Sequence, residues 1–75
     1  MISFALPRGG DVRLRIFDVR GRCVRSLLDG QVAAGEGAVV WRGRDDQGRQ
    51  LADGVYFYRL EHAGRTLTRK LLLVR

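Results

Sequence analysis

The sequence predicts an all-β domain of two packed antiparallel sheets, built from about seven short strands. Apolar and polar residues alternate along most of the chain, which is the periodicity of strands, and no stretch has a convincing helical spacing. Glycine and aspartate interrupt the chain about every eight to twelve residues, as turns do between short strands. The pattern favours a sandwich of immunoglobulin-like, fibronectin III-like type, and a small closed barrel is the alternative.

The N-terminal half is predicted to supply three strands. Residues 1–6 alternate and are closed by Pro7, which is typical of an edge strand. Residues 12–19 show the clearest alternation of the chain, with aliphatic side chains on one face and arginines on the other. A tight turn then leads into a strand at residues 22–28, where inward side chains three residues apart indicate a bulge.

The C-terminal half is predicted to supply the remaining strands. Residues 31–37 are expected to connect the two sheets after a turn at residues 29–30. The polar residues 43–48 are expected to form a loop in which aspartate side chains bond to the backbone. Residues 55–61 carry β-branched and aromatic side chains on both faces, which predicts a central strand, and a four-residue hairpin loop follows at residues 62–65. The strands predicted here are residues 38–41, 55–61 and 66–74, and residues 49–52 are predicted to be a short seventh strand or an extended link.

The predicted core combines alternating aliphatic residues with the larger aromatic ones. Trp41 is the only tryptophan, so it is expected to be the largest core side chain. The all-apolar residues 71–74 predict burial on both faces of the last strand, or contact with a neighbouring domain. The predicted core residues are Leu14, Ile16, Trp41, Tyr56, Tyr58 and Leu71.

Length and composition limit the class of protein. A chain of 75 residues forms one domain, residues 1–75, with a thin core. The net charge is +6, but the arginines are scattered, so a solvated basic surface is the simplest interpretation. Cys23 is the only cysteine, which excludes an internal disulfide. The N-terminus lacks the pattern of a signal peptide, and the longest apolar stretch, residues 71–74, is too short to cross a membrane.

The sequence offers no catalytic or metal-binding set. His62 is the only histidine, and no serine or threonine lies on a glycine-flanked elbow. Asp45 and Asp46 lie near Gly48, but their spacing does not fit an EF-hand loop and no acidic residue follows at its closing position. We therefore expect a module that is not an enzyme and has no cofactor, metal or small-molecule substrate.

An arginine-rich sheet face is the sharper alternative function. Aromatic residues interleaved with arginines on a sheet are how several proteins bind single-stranded nucleic acid. The two helices of an RNA-recognition domain are missing from the predicted elements, so nucleic-acid binding is the less favoured interpretation. The residues that could share this face are Arg13, Arg15, Phe17, Phe57 and Arg59, with Arg25 or Lys70.

Several short motifs follow one another in an order that is typical of one family. They lie at residues 12–22, 24–27, 34–35, 41–48, 54–60 and 69–75. Each motif is weak alone, but the ordered set covers nearly the whole chain. It resembles the FlgD-type Ig-like domain and the closely similar type A C-terminal sorting domain of bacterial type IX secretion.

The resemblance implies a β-sandwich at the C-terminus of large secreted or surface proteins, where it serves sorting or attachment. In the flagellar hook-capping protein a similar domain serves assembly. The implied roles of the motif residues are architectural. Asp18 and Gly21 would shape the first hairpin; Gly43, Asp45 and Gly48 the polar loop; Gly54, Tyr56 and Tyr58 the central strand, against Trp41.

The resemblance also implies a context for the domain. The family usually has an acidic residue after the tryptophan, where Arg42 stands here, and a Pro-Asn-Pro-type segment before the first strand. We expect residues 1–75 to be the C-terminal part of a longer protein that is secreted or lies at the cell surface. The expected partners are secretion or cell-envelope proteins and upstream domains of the parent protein, not a membrane. The candidate partner surface consists of Arg13, Arg15, Phe57 and Arg59.

Overall fold

The computed structural model describes residues 1–74, and strands are the only regular elements in that range. Nothing in those residues has the length and apolar character of a membrane-crossing helix. The strands are β1 (Ile2–Leu6), β2 (Gly10–Phe17), β3 (Cys23–Val32), β4 (Gly35–Val39), β5 (Gly54–His62) and β6 (Arg65–Leu73).

The strands form two antiparallel sheets. The larger sheet has the order β3-β2-β5-β6, and the smaller one pairs β1 with β4. β5 lies between β2 and β6, so the prediction of a central strand over residues 55–61 is confirmed. Ile2 of the smaller sheet belongs to the same buried cluster as Leu14 and Ile16 of the larger one. The two sheets therefore face each other across one core, as the layers of a sandwich do.

Six strands are present among residues 1–74, so the prediction of seven is wrong. The segment that differs is residues 49–52, where only an isolated bridge joins Arg44 to Gln50. The backbone N–H of Arg49 donates to the carboxylate of Asp45. A backbone donor that bonds to a side chain is not available to a sheet, and this competition explains why the segment stays irregular.

Strand limits also differ from the prediction in the middle of the chain. β3 continues through residues 29–30, where the sequence predicts a turn, and pairs with β2 as far as Val32. Most of the predicted connection at residues 31–37 is strand as well, because β4 begins at Gly35 and pairs with β1. Trp41 lies beyond the end of β4 instead of within it. Glycine weakens a strand but does not end it when the neighbouring residues still pair.

One glycine of β4 has a specific cross-strand partner. Gly37 lies directly opposite Phe4 of β1, and a Cβ atom added at Gly37 would lie 2.6 Å from Cζ of that ring. The aromatic side chain therefore covers the glycine and replaces the contacts that a side chain at Gly37 would make. This packing explains how so glycine-rich a segment forms a strand.

The last hairpin is tighter than predicted. His62 pairs with Arg65, so the connection contains two residues, not the four predicted. Ala63 and Gly64 both have positive φ, at 51° and 75°, as in the type I′ turns that match the twist of two-residue hairpins. Glycine adopts this conformation freely, whereas alanine does so at a cost.

The centre of the core agrees with the prediction, and its edges differ. Leu14 and Ile16 are fully buried, and Tyr56 is 8% exposed. Trp41, Tyr58 and Leu71 pack against them but are only half-buried. The other buried hydrophobic residues are Ile2, Leu6, Val12 and Phe17.

The end of β6 is not buried on both faces. Leu71 is half-buried, but Leu72 is 67% and Val74 69% exposed. Leu71 pairs with the buried Tyr56 and faces the core, whereas Leu72 pairs with the exposed Val55 on the opposite face of the sheet, which has no second layer over it. Burial of both faces within the domain is therefore wrong for this segment.

Candidate functional site

One face of the four-stranded sheet points away from β1 and β4, and we call it the outer face. Leu14 and Ile16 point into the core, so the residues that alternate with them on β2 point outward. The β2–β5 register then places the outward residues of the two strands directly opposite each other. Each facing pair forms one row across the two strands, and the three rows are Arg13–Glu61, Arg15–Arg59 and Phe17–Phe57.

Two arginines of the outer face stack on one aromatic ring. The guanidinium carbon of Arg59 lies 4.4 Å from the ring centre of Phe17, and that of Arg15 lies 5.3 Å from it. Phe17 is 8% exposed although it lies on the outer face, because the arginine side chains cover it. Cation–π attraction and the planar shape of guanidinium both favour this arrangement.

Glu61 balances part of this positive charge. Its carboxylate accepts a hydrogen bond from Arg15 and lies 3.6 Å from a terminal nitrogen of Arg13. The hydrogen bond from Arg15 has the largest effect on the pKa of Glu61, which it lowers. Burial raises this pKa, and the charges of Arg13 and Arg59 lower it further. Glu61 therefore stays ionised, and the cluster of three arginines keeps an excess of positive charge.

The structure brings the predicted partner surface together. Arg13, Arg15 and Arg59 form one cluster around Glu61, and Phe57 lies in the next row, opposite Phe17. Of the two further basic residues considered, Lys70 lies beside Phe57 across the β5–β6 pair. Arg25 does not join the outer face. Its guanidinium instead donates to the backbone oxygen of Asp45, at 3.4 Å.

The loop between β2 and β3 is built around the carboxylate of Asp18. One carboxylate oxygen accepts the backbone N–H groups of Arg20 and Arg22, at 2.9 and 3.0 Å, and the other accepts Nε of Arg22 at 3.0 Å. The backbone oxygen of Asp18 accepts the N–H of Gly21, whose φ of 81° closes the turn. The backbone bond from Arg22 is the main reason that the pKa of Asp18 is lowered, and it outweighs burial.

The polar loop repeats the same arrangement around Asp45. Its carboxylate accepts the backbone N–H groups of Gln47 and Arg49 and, on the other oxygen, Nε of Arg49. Gly48 donates its N–H to the Asp45 backbone oxygen and has a φ of 80°. The backbone bond from Arg49 is again the largest cause of a lowered pKa, here that of Asp45.

The repeat is visible in the sequence as Asp-x-x-Gly-Arg at residues 18–22 and 45–49. Turn chemistry predicts a polar loop at Asp45, whereas Asp18 falls within the predicted strand 12–19 and is given a hairpin role only by the family resemblance; the signal common to both is the five-residue pattern that occurs twice. The sequence places Phe17 on the outer face but does not predict that Asp45 is buried, at 5% exposure, that two arginines stack on Phe17, or that Glu61 joins the cluster.

The polar loop is fixed to the edge of the larger sheet. The backbone N–H of Asp46 donates to the oxygen of Val24 in β3, and the N–H of Ser26 donates to the Asp46 carboxylate, both at 3.0 Å. Arg25 lies 3.9 Å from the same carboxylate. The irregular segment before β5 therefore occupies the free side of β3, which would otherwise be exposed to other strands.

The remaining motif residues support this loop from the core side. The rings of Trp41 and Tyr56 meet edge to face, 5.2 Å apart, and the indole N–H of Trp41 donates to the backbone oxygen of Arg44. The hydroxyl of Tyr56 donates to the backbone oxygen of Ala52 at 2.7 Å. Gly43 has a φ of 78°, which strains any other residue, and a Cβ atom there would lie 2.9 Å from the Leu73 side chain, which would have to move.

Two motif residues act within β5 itself. Gly54 begins the strand with a φ of 149°, and Tyr58 lies opposite the buried Ile16 and packs against the core. Residues 1–74 contain no group of three or more histidine, cysteine, aspartate or glutamate side chains placed to hold a metal ion. The lone Cys23 is exposed at the start of β3.

The fold and the loops agree with a comparison against known families. The sequence model of one family, the FlgD Ig-like domain, matches residues 2–65. The chain belongs to the FlgD Ig-like domain family. That match includes both aspartate loops, the tryptophan, β5 and the outer-face residues of β2 and β5. A search of the curated proteins found no match, nor did a search of the solved structures.

Proposed function

We propose that this FlgD Ig-like domain is a non-catalytic module that binds other proteins in the assembly of a cell-envelope structure, related to flagellar hook capping. The observation that carries the proposal is the family match over residues 2–65. The proposed partners are cell-envelope proteins and upstream domains of the same parent protein, and the proposed location is the cell surface or the exterior.

The arrangement of the site supports a binding role. The aspartate loops and the tryptophan use their polar groups to hold the backbone, so these groups support the fold. The outer face has a charged cluster and an aromatic row on two adjacent, central strands. Arginine and aromatic side chains are enriched at protein-binding surfaces.

A domain exchange tests this proposal. In a flagellated bacterium, residues 1–75 would replace the Ig-like domain of the hook-capping protein, and hooks would be counted by electron microscopy. We expect the chimera to assemble hooks, while a chimera with the core substitution Leu14→Asp, which places a charge at a fully buried position, assembles none. A chimera that is secreted in normal amounts but builds no hooks would contradict the assembly role.

Export or surface sorting is a second candidate, and one sequence feature favours it. Residues 69–75 lie outside the family match and resemble the basic and apolar end of type A sorting domains. To test this role, residues 1–75 would be fused behind an exported reporter in a bacterium with type IX secretion. Sorting predicts reporter at the cell surface, and a fusion truncated after residue 68 should leave it in the periplasm. Periplasmic retention of the complete fusion would remove this candidate.

A further inference from the structure

The middle row of the outer face places two like charges directly opposite each other. Arg15 of β2 faces Arg59 of β5, and the next positions along this row are Ser26 of β3 and Thr68 of β6. Like charges at facing positions of a sheet destabilise it. The neighbours in this row are neutral, so the only acidic group that balances the two arginines is Glu61 in the adjacent row, which pairs with Arg15 and leaves Arg59 without an ion pair among residues 1–74.

The two guanidinium groups are also held in place before any partner binds. Both stack on Phe17, with their central carbons 4.4 and 5.3 Å from the ring centre. Arginine normally loses much side-chain freedom when it binds a ligand, and a stacked guanidinium has already lost part of it. Binding an anion at this row therefore has a smaller entropic cost than binding one at a free surface arginine.

Only part of this charge is neutralised within the domain. Glu61 is paired with Arg15 and Arg13, while Arg59 has no ion pair among residues 1–74. β6, which borders Arg59 and Phe57, contributes Thr68 and Lys70 at the facing positions and no acidic residue. Of the three arginines in the cluster, Arg59 is therefore the one that remains available to an approaching negative group.

We propose that the outer face binds an acidic, extended segment of a partner protein, with a carboxylate over Arg59 and Arg15 and an apolar side chain against Phe57. Guanidinium binds carboxylate through paired hydrogen bonds in one plane, and Phe57 in the next row offers a half-buried aromatic surface. The inference rests on the proposed role as a protein-binding module and names the surface and the chemistry of its partner.

A nucleic acid fits this face less well than a carboxylate segment. Proteins that bind single strands stack bases on exposed aromatic rings, but Phe17 is 8% exposed and covered by arginines. Glu61 lies in the same cluster and stays ionised, so it repels phosphates that follow the strand direction. Phe57 is then the main stacking surface on this face, whereas Arg59, which has no ion pair among residues 1–74, remains available to a single carboxylate.

The binding test uses the 75-residue chain and a fluorescent peptide of alternating glutamate and valine, at about 50 mM salt, where charge interactions are weakly screened. Arg59→Thr is the key variant, because threonine suits a strand and would face Thr68. Arg42→Thr is its control, since it removes the same charge from an exposed position outside the strands. Fluorescence anisotropy would give each dissociation constant.

We expect Arg59→Thr to weaken peptide binding about tenfold, and Arg42→Thr to change it less than about twofold. Arg59→Lys, which keeps the charge but loses the planar donor pair, should recover only part of the affinity and provides the comparison if the threonine variant does not fold. Equal losses in Arg59→Thr and Arg42→Thr, or no peptide binding by the natural chain, would overturn the inference. So would tighter, Arg59-dependent binding of a thymidine oligonucleotide. These results are independent of hook assembly by the chimera, so failure of either proposal can be recognised separately.

Discussion

Asp18 and Asp45 show how much one side chain can organise in a small domain. Each aspartate takes part in the same five hydrogen bonds within its own Asp-x-x-Gly-Arg segment. The two sites differ in exposure, since the Asp45 side chain is 8% exposed and the Asp18 side chain 16%. The same chemistry is therefore more completely shielded from water at Asp45.

Replacing each aspartate by asparagine should separate these two environments. Asparagine keeps one oxygen for the two backbone N–H groups but presents an NH₂ group, a donor, to the arginine Nε. We expect Asp45→Asn to lower the urea midpoint more than Asp18→Asn, because an unmatched donor has less access to water at Asp45. An Asp18→Asn variant that is destabilised as much as Asp45→Asn, or more, would contradict this explanation.

Ala63 has a backbone conformation that costs folding free energy, and this cost can be tested by substitution. Its φ of 51° is left-handed and costs a non-glycine residue about 1 kcal/mol. We expect Ala63→Gly to stabilise the domain by about that amount and to raise the melting temperature by about 4–8 °C. Ala34→Gly is the control, because Ala34 is exposed outside the strands and has no positive φ. It should stabilise nothing, and an equal gain in both variants would argue against strain at Ala63.

At the scale of elements, strand alternation was the reliable signal and strand ends were not. The sequence predicts the central strands around residues 12–19 and 55–61 because their side chains separate cleanly into two faces. It does not decide whether residues 49–52 are a strand or an extended link, since the hydrogen bonds that keep them irregular come from Asp45. Bonds between a side chain and the backbone leave no periodic trace in a sequence.

The Phe4–Gly37 pair offers a test of how a glycine-rich strand is stabilised. We expect Gly37→Ala to cost about 0.5–1 kcal/mol, because its Cβ displaces the Phe4 ring. In a Phe4→Ala background the same substitution should be neutral or stabilising, since alanine is more favourable than glycine in a strand. A double-mutant cycle of urea unfolding measures the difference. Equal effects in both backgrounds would mean that the ring does not protect the glycine.

At the scale of the whole molecule, the excess of positive charge makes the acidic residues important for stability. The chain contains fourteen basic and eight acidic residues. Asp18, Asp45 and Glu61 each form an ion pair with an arginine in the folded state. Protonating these carboxyls removes attractions and increases the repulsion among arginines. The fold is therefore expected to be more sensitive to acid than to alkali.

Stability should fall in a defined acidic range. The pKa values of Asp18, Asp45 and Glu61 are lowered from ordinary values of 3.8 for aspartate and 4.5 for glutamate. A group whose pKa is lower in the folded state stabilises the fold above its unfolded pKa, and this contribution is lost as pH falls through the folded value. We expect the urea midpoint to be constant between about pH 7 and pH 5.5 and to fall below about pH 4.5. A midpoint that stays constant down to about pH 3 would contradict these shifts.

Residues that share a face, and most of the turns, can be predicted from the sequence, because alternation and turn chemistry depend on neighbours along the chain. The sequence therefore predicted the all-β class, the inner row of Leu14 and Ile16, and the outward direction of Arg13, Arg15 and Arg59. The strand order and register that place Arg15 opposite Arg59, and beside Glu61 46 residues away, are visible only in the folded chain. Such pairings depend on which distant segments bury their apolar faces together, and this depends on the packing of the whole chain.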